Sequence, residues 1–90
     1  MTSPVPLRRA PPAYTAEAVR ARAQGVVTVE CVVEPNGECG EVRVLRAFNP
    51  PFGLDQEALA AARRWRFKPG MREGEPVPVL VNLEIEFTIR

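Results

Sequence analysis

The clearest structural signal in this sequence is an alternation of apolar and polar residues near the C-terminus. From residue 79 to residue 89 every odd position holds Val, Leu, Ile or Phe, and the even positions, apart from Leu80, are polar or charged. Successive side chains of a β-strand point to opposite faces of a sheet, so a period of two is typical of a strand that buries one face. The pattern therefore predicts a long strand with one face in the core and the other in water.

Two further strands are predicted upstream of it, joined by a tight turn. Residues 26–34 are rich in Val and are apolar on much of both faces, which is typical of a central strand. Asn36-Gly37 is a strong hairpin signal, because a two-residue type I′ turn requires positive φ at both central residues. Residues 40–48 form the second strand, and Asn49-Pro50-Pro51 ends it because proline has no N–H to donate to a sheet.

Two helices are predicted, one short and one long. Residues 14–22 fit a short helix with Thr15 as its N-cap. The main helix opens at Gly53-Leu54-Asp55 with Asp55 as its N-cap, and Pro69-Gly70 ends it. Its predicted buried stripe consists of Ala58, Leu59, Ala61, Ala62 and Trp65.

These elements predict an α+β fold with the order α-β-β-α-β. A helix that connects the second strand to the third makes those two strands parallel and leaves room for the first strand between them. The sheet order is then second, first, third, with the main helix on one face and with both the second and third strands at edges. Residues 1–12 are predicted to be a proline-rich linker and residues 13–90 the folded domain.

The same hairpin register makes a prediction about the two cysteines. A two-residue turn pairs Glu34 with Cys39 and Cys31 with Val42, which places Cys31 on the inner face and Cys39 on the opposite one. The two thiols are therefore predicted to pack separately, and an intramolecular disulfide is the alternative. Two cysteines in a chain without His supply too few ligands for a metal site.

The composition argues against an enzyme and against a nucleic-acid binder. There is no His and no phosphate-binding glycine motif, so neither a catalytic base nor a cofactor is predicted. The formal net charge is +1, and the cluster Arg63, Arg64 and Arg66 suits the C-terminal end of a helix. Residues 1–10 lack the apolar stretch of a signal peptide, and no apolar run approaches the roughly 20 residues of a membrane-spanning helix.

The third strand is the candidate binding site, because an edge strand presents unpaired N–H and C=O groups to which a partner peptide can add as a further strand. The alternative is that Glu84 and Glu86 only protect the edge against aggregation. The same edge could pair with a second copy of the chain and form a homodimer. The predicted partner-binding residues are Val79, Leu80, Val81, Asn82, Leu83, Glu84, Ile85, Glu86, Phe87, Thr88 and Ile89.

An ordered set of motifs resembles the C-terminal domain of TonB proteins. The set comprises Gly25-Val26-Val27-Thr28-Val29, Pro35-Asn36-Gly37, Leu54-Asp55 and, most characteristic, Trp65-Arg66-Phe67-Lys68-Pro69-Gly70. The two cysteines, and Thr15 in place of the usual Pro, depart from the family pattern.

The resemblance implies a periplasmic domain of an energy transducer that is anchored in the inner membrane. Such a domain grips the TonB-box peptide of outer-membrane transporters by strand addition, here at residues 79–89. It transmits force from an inner-membrane motor complex for active uptake, as in siderophore transport. On this interpretation the given chain lacks its N-terminal anchor. The alternatives are a TolA-like structural linker of the cell envelope and a thiol-disulfide redox module.

Overall fold

The computed structural model, which describes residues 1–89, is an α+β structure with two helices and seven strands over those residues. The elements in chain order are β1 Val5–Arg8, α1 Ala16–Ala21, β2 Gly25–Val33, β3 Cys39–Arg46, α2 Leu54–Arg64, β4 Arg66–Lys68, β5 Gly70–Arg72, β6 Glu75–Val77 and β7 Val79–Phe87. No helix within residues 1–89 is both long enough and apolar enough to cross a lipid bilayer.

The three long strands form a central sheet in the order β3-β2-β7. β2 is antiparallel to both of its neighbours, so the predicted fold class and strand order are confirmed. Two small sheets, β1-β4 and β5-β6, were not predicted. Each pairs strands of three or four residues, too short to show a periodic pattern in sequence.

The core lies between α2 and one face of the central sheet. Alternate residues of β2 and β7 point into it, as the period of two predicts. The ring of Phe87 packs edge-on against Tyr14 and Phe48, with centroids 5.6 and 5.9 Å away. Trp65 is 8% exposed, so its predicted place in the core is confirmed. The fully buried side chains include Ala18, Val27, Val29, Cys31, Val33, Leu54, Ala58, Ala61 and Ala62.

Thr15 caps α1, as predicted, and also ties it to the segment before α2. Its Oγ1 accepts a hydrogen bond from the N–H of Ala18 at 3.1 Å and donates one to the carbonyl of Phe52 at 2.6 Å. The neighbouring Tyr14 hydroxyl donates to the carbonyl of Ala23 at 2.8 Å, and burial raises the pKa of that phenol above its ordinary value. Thr15 therefore fixes the start of α1 to the segment before α2, and the Tyr14 hydroxyl joins the residues on either side of the helix.

Both ends of α2 differ from the prediction. Its N-cap is Gly53, which has φ 77°, and Asp55 lies instead in the first turn, where a carboxylate still suits the helix dipole. The helix ends at Arg64 rather than at Pro69, because Trp65 is extended and residues 66–68 pair with β1 as β4. A strand partner supplied from the N-terminal segment thus overrides the helical tendency of this stretch.

The N-terminal segment, predicted to be a linker, is extended but contacts the domain. Val5 pairs with Lys68 and Pro6 with Phe67, and Thr2 exchanges backbone hydrogen bonds with Met71 at 2.9 and 3.2 Å. Proline is tolerated in such an edge strand because no further neighbour requires its N–H. The division into a linker, 1–12, and a domain, 13–90, stays a prediction.

The turn between β2 and β3 is one residue longer than predicted. The N–H of Gly37 donates to the carbonyl of Glu34 at 2.8 Å, and the N–H of Glu34 donates to the carbonyl of Glu38 at 2.9 Å. Gly37 has φ 86°, whereas Asn36 has no positive φ, so the turn is not type I′. Pro35 explains the difference, because its fixed φ suits the second position of a type I turn and shifts the glycine to the left-handed position.

The longer turn, with a bulge that follows it, reverses the prediction for the cysteines. Because the turn holds one more residue, Cys39 pairs with Val33 rather than with Glu34 and lies on the inner face. A bulge between Cys39 and Val42 adds one residue to β3 and restores the predicted pairing of Val42 with Cys31. Cys39 therefore shares the inner face with Cys31, their Cα atoms are 5.6 Å apart, and the two form a disulfide. The prediction of two separate thiols was wrong.

Replacing Gly37 by Ala should destabilise the domain more than replacing Gly74 by Ala. Both glycines have positive φ, 86° and 79°, which costs a side chain about 1–2 kcal/mol. A Cβ on Gly37 would also run into the carbonyl oxygen of Phe67, whereas a Cβ on Gly74 would meet nothing within 4 Å. Urea denaturation of the two variants measures the difference, which should exceed about 1 kcal/mol. Equal losses would mean that the contact between the hairpin and β4 does not constrain the turn.

Candidate functional site

The edge of the central sheet that β7 forms is open. β7 pairs along its whole length with β2, from Val79 opposite Val33 to Phe87 opposite Gly25. Within residues 1–89 no strand pairs with its other side. The open side therefore offers a nine-residue template to which an extended chain can add.

Backbone geometry shows which groups of β7 face this open side. The N–H of Glu34 donates to the carbonyl of Glu38, so the backbone groups of Glu34 face β3. Backbone groups of successive residues in a strand point to opposite sides, and the pairing of β2 with β7 is regular. The odd-numbered residues of β2 therefore bond to β7. The N–H of Ile89 donates to Oε1 of Gln24 at 3.2 Å, which agrees with odd residues of this segment facing β2. The even-numbered residues therefore direct their N–H and C=O groups to the open edge. These are Leu80, Asn82, Glu84 and Glu86.

A groove runs beside the C-terminal half of β7. It has a volume of about 380 Å³, and its opposite wall is the segment of residues 9–12. Trp65 lies within it, and its Nε1–H donates to the carbonyl of Ala10 at 3.3 Å. Arg64 donates from Nη2 to the carbonyl of Pro11 at 3.2 Å. Two side chains from the end of α2 thus hold the wall in place.

The predicted site residues divide by position along this strand. The residues 79–87 form β7, and Thr88 and Ile89 follow it. Leu83, Ile85 and Phe87 are buried in the core and their backbone groups face β2, so neither their side chains nor their backbone groups are open to a docked strand. The side chains of Glu84 and Glu86 are exposed at the rim of the groove, and neither forms an ion pair within residues 1–89. The structure therefore brings the predicted residues together on one edge, with alternate ones facing outward.

The groove wall opposite β7, residues 9–12, was not predicted from the sequence, because residues 1–12 were predicted to be a linker. Arg9, Pro11 and Pro12 line the groove, and the guanidinium of Arg9 lies 5.8 Å from the centre of the Trp65 ring. The lone Trp of the chain could have indicated this wall, because a tryptophan at a helix end needs other residues to bury its ring and an acceptor for its N–H.

The site offers the backbone groups of a strand edge and the groove beside it. Within residues 1–89 no group of three or more His, Cys, Asp or Glu is placed to hold a metal ion. Both sulfur atoms are joined in the disulfide, so neither is a free nucleophile. An open edge beside a groove with one apolar wall can hold an extended peptide through backbone hydrogen bonds.

A comparison with known protein families gives a match over most of this chain. The family described as "Gram-negative bacterial TonB protein C-terminal" matches residues 10–89. This chain belongs to the TonB C-terminal domain family. The resemblance carried by the sequence motifs is thus confirmed.

Individual TonB proteins and a solved TonB structure agree with this assignment. Protein TonB of Escherichia coli is 34% identical over 97% of this chain, and that of Klebsiella pneumoniae is 31% identical over 93%. The chain spans only about a third of those relatives, 36% and 34% of their lengths. The solution structure of the Pseudomonas aeruginosa TonB C-terminal domain matches 99% of this chain and 89% of its own, with a TM-score of 0.72 at 29% identity.

Proposed function

We propose that this domain is the receptor-binding end of a TonB-type energy transducer and that it binds the TonB-box peptide of outer-membrane transporters by strand addition at β7. The open edge carries this proposal, because four consecutive even-numbered residues direct backbone groups toward it. Family membership supports the transducer role. The groove adds a reason for a preferred site, since a docked strand there also contacts Trp65 and Pro11.

The rest of the proposed function concerns parts of the protein beyond this domain. In the full-length protein an N-terminal anchor would hold the domain to the inner membrane, and a motor complex there would supply force for uptake. The disulfide supports a periplasmic location, because structural disulfides persist in oxidising compartments. A homodimer through β7 would use the same backbone groups, so we expect it to compete with peptide binding.

The two alternative functions have less support. A TolA-like linker would transmit force without binding a TonB box, and no feature of residues 1–89 favours it over peptide binding. A redox module requires access to a sulfur atom. Cys31 is fully buried and Cys39 is 8% exposed, which speaks against rapid thiol-disulfide exchange.

Replacing Asn82 by Pro should weaken peptide binding at least about tenfold, because it removes one backbone donor from the open edge and inserts a ring there. The ladder to β2 should survive, since the N–H of Asn82 does not face β2. Asn82→Ala is the matched control, because it loses the side chain and keeps the N–H. Calorimetric titration with a TonB-box peptide measures the affinity of both variants.

A second proline variant tests the direction of the backbone groups. Val81→Pro removes a donor that faces β2, so we expect it to unfold the domain, whereas Asn82→Pro should retain the circular dichroism spectrum of the parent. If a folded Asn82→Pro variant binds the peptide as tightly as Asn82→Ala, the peptide does not add to β7 and the proposed site is wrong.

A further inference from the structure

A second cavity, of about 390 Å³, adjoins the groove and is lined by three arginines. They are Arg8, Arg9 and Arg64, and the segment of Arg9, Ala10 and Pro11 forms part of the walls of both cavities. A peptide that lies in the groove therefore runs along the same chain segment that borders the arginines. We refer to this second space as the arginine cavity.

The arginines of the arginine cavity have no ion-pair partner within residues 1–89, and the carboxylates among the lining residues, Glu84 and Glu86, belong to the adjoining groove. The ion pairs formed within residues 1–89 join Arg43 to Glu30 and Arg66 to Glu38, so none of the three lining arginines takes part in one. Arg8 moreover pairs across the β1–β4 sheet with Arg66, a further cation. Like charges in such positions repel one another, and an anion placed among them would relieve that repulsion.

Two of the three guanidinium groups are held in position. Nη2 of Arg64 donates to the carbonyl of Pro11, and Arg9 lies over the ring of Trp65. Arginine presents several N–H donors in a planar fork that fits a carboxylate, and less side-chain freedom is lost when the fork is already oriented. The cavity thus combines charge with partly ordered donors.

We propose that the arginine cavity binds acidic side chains that flank the strand docked on β7. This proposal rests on the proposed function, since it assumes a peptide in the groove. It predicts a preference for particular side chains in the partner. Strand addition alone does not, because backbone hydrogen bonds depend little on the side chains of the added strand. Acidic residues next to the docked segment would fix its register and direction, and they would speed association at low salt.

The test extends a TonB-box peptide that binds the domain by Asp-Glu at its N-terminal or its C-terminal end, with Asn-Gln extensions as controls. Calorimetry with the whole chain should show one acidic peptide binding about tenfold more tightly than its amide control. The end that shows this preference is the end of the docked strand that lies beside the arginine cavity. If no TonB-box peptide binds at all, the proposed function fails, and this proposal fails with it.

Variants that remove arginine charges then test whether the arginine cavity causes this preference. Because Arg9 also lines the groove, the two peptides are compared within the same variant, and Arg8→Gln combined with Arg9→Gln should abolish the difference between their affinities. Arg20→Gln, a loss of one charge on α1 outside both cavities, should leave the preference intact. Circular dichroism checks that the variants fold, and the single variant Arg9→Gln replaces the double variant if Arg8 proves necessary for β1.

Two outcomes would overturn the proposal while leaving strand addition in place. One is equal affinity for the acidic and amide peptides at both ends. The other is a preference that persists in the folded arginine variants. Inorganic phosphate serves as an alternative anion, and it should compete with the acidic peptide but not with the amide one. Phosphate binding that depends on Arg8 and Arg9, without any effect on the peptides, would assign the cavity to free anions instead.

Discussion

Replacing Trp65 by Ala should lower the free energy of unfolding by about 3–5 kcal/mol, the range for truncating a large aromatic in a core. The indole is 8% exposed, stacks on Phe67 with ring centres 5.9 Å apart, and donates its N–H to the carbonyl of Ala10. Its loss leaves a cavity at the end of α2 and also removes the bond that holds the groove wall. For a domain of 90 residues this could be most of the total stability.

The measurement requires circular dichroism in urea, because Trp65 is the lone tryptophan and the variant has no indole fluorescence. Leu80→Ala is the control, since Leu80 is 58% exposed on the outer face of β7 and should change stability by less than about 0.5 kcal/mol. A Trp65→Ala loss below about 1 kcal/mol would place the indole at the surface and would contradict the packing of residues 9–12 against it.

Replacing both cysteines by Ala should destabilise the domain by about 2–3 kcal/mol, the chain-entropy estimate for a ring of this size. The disulfide closes a loop with a sequence separation of 8 between β2 and β3. Both residues belong to the core, so their truncation also removes a small amount of apolar contact. Denaturation with and without reductant measures the effect.

The response to reductant separates the effect of losing the disulfide bond from the effect of truncating the cysteine side chains. The parent chain should lose stability when reduced, whereas the Cys31→Ala/Cys39→Ala variant should be indifferent to reductant. Mass spectrometry after alkylation under denaturing conditions should show no modified cysteine in the unreduced parent. Two alkylated cysteines in that sample would contradict the pairing of Cys39 with Val33 as well as the bond, because that pairing places Cys39 on the inner face beside Cys31.

The central sheet could be predicted from the sequence because its strands carry long periodic signals. The alternation of β7 and the valines of β2 each extend over nine residues, and the connection through α2 leaves few topologies. The buried place of Trp65 and the cap at Thr15 also follow from local chemistry. For the same reason the edge of β7 could be identified as the candidate site before its surroundings were known.

The errors arise where one residue changes the register or where a partner comes from far along the chain. Pro35 lengthens the turn by one residue, and the bulge near Gly40 adds one residue to β3 and restores the register. The predicted pairing was therefore right for Cys31 with Val42 and wrong for Cys39. The groove wall and β4 depend on contacts between residues separated by about sixty positions, which no local pattern reports. The strand of the candidate site could therefore be predicted, whereas the groove beside it could not.

The pairing of β1 with β4 has a mechanical consequence. Tension on the chain ahead of β1 acts first on the backbone bonds between Thr2 and Met71, then on the pairs between β1 and β4, and then on the end of α2, where Trp65 and Arg64 hold Ala10 and Pro11. The tip of the hairpin contacts β4, where the N–H of Phe67 donates to the carbonyl of Gly37, but the disulfide lies outside this path. Because residues 9–12 are also one wall of the groove, a pull strong enough to peel β1 away would widen the groove before it disturbed the central sheet. A peptide docked in the groove, as we propose, would then be released under load while the central sheet remains folded.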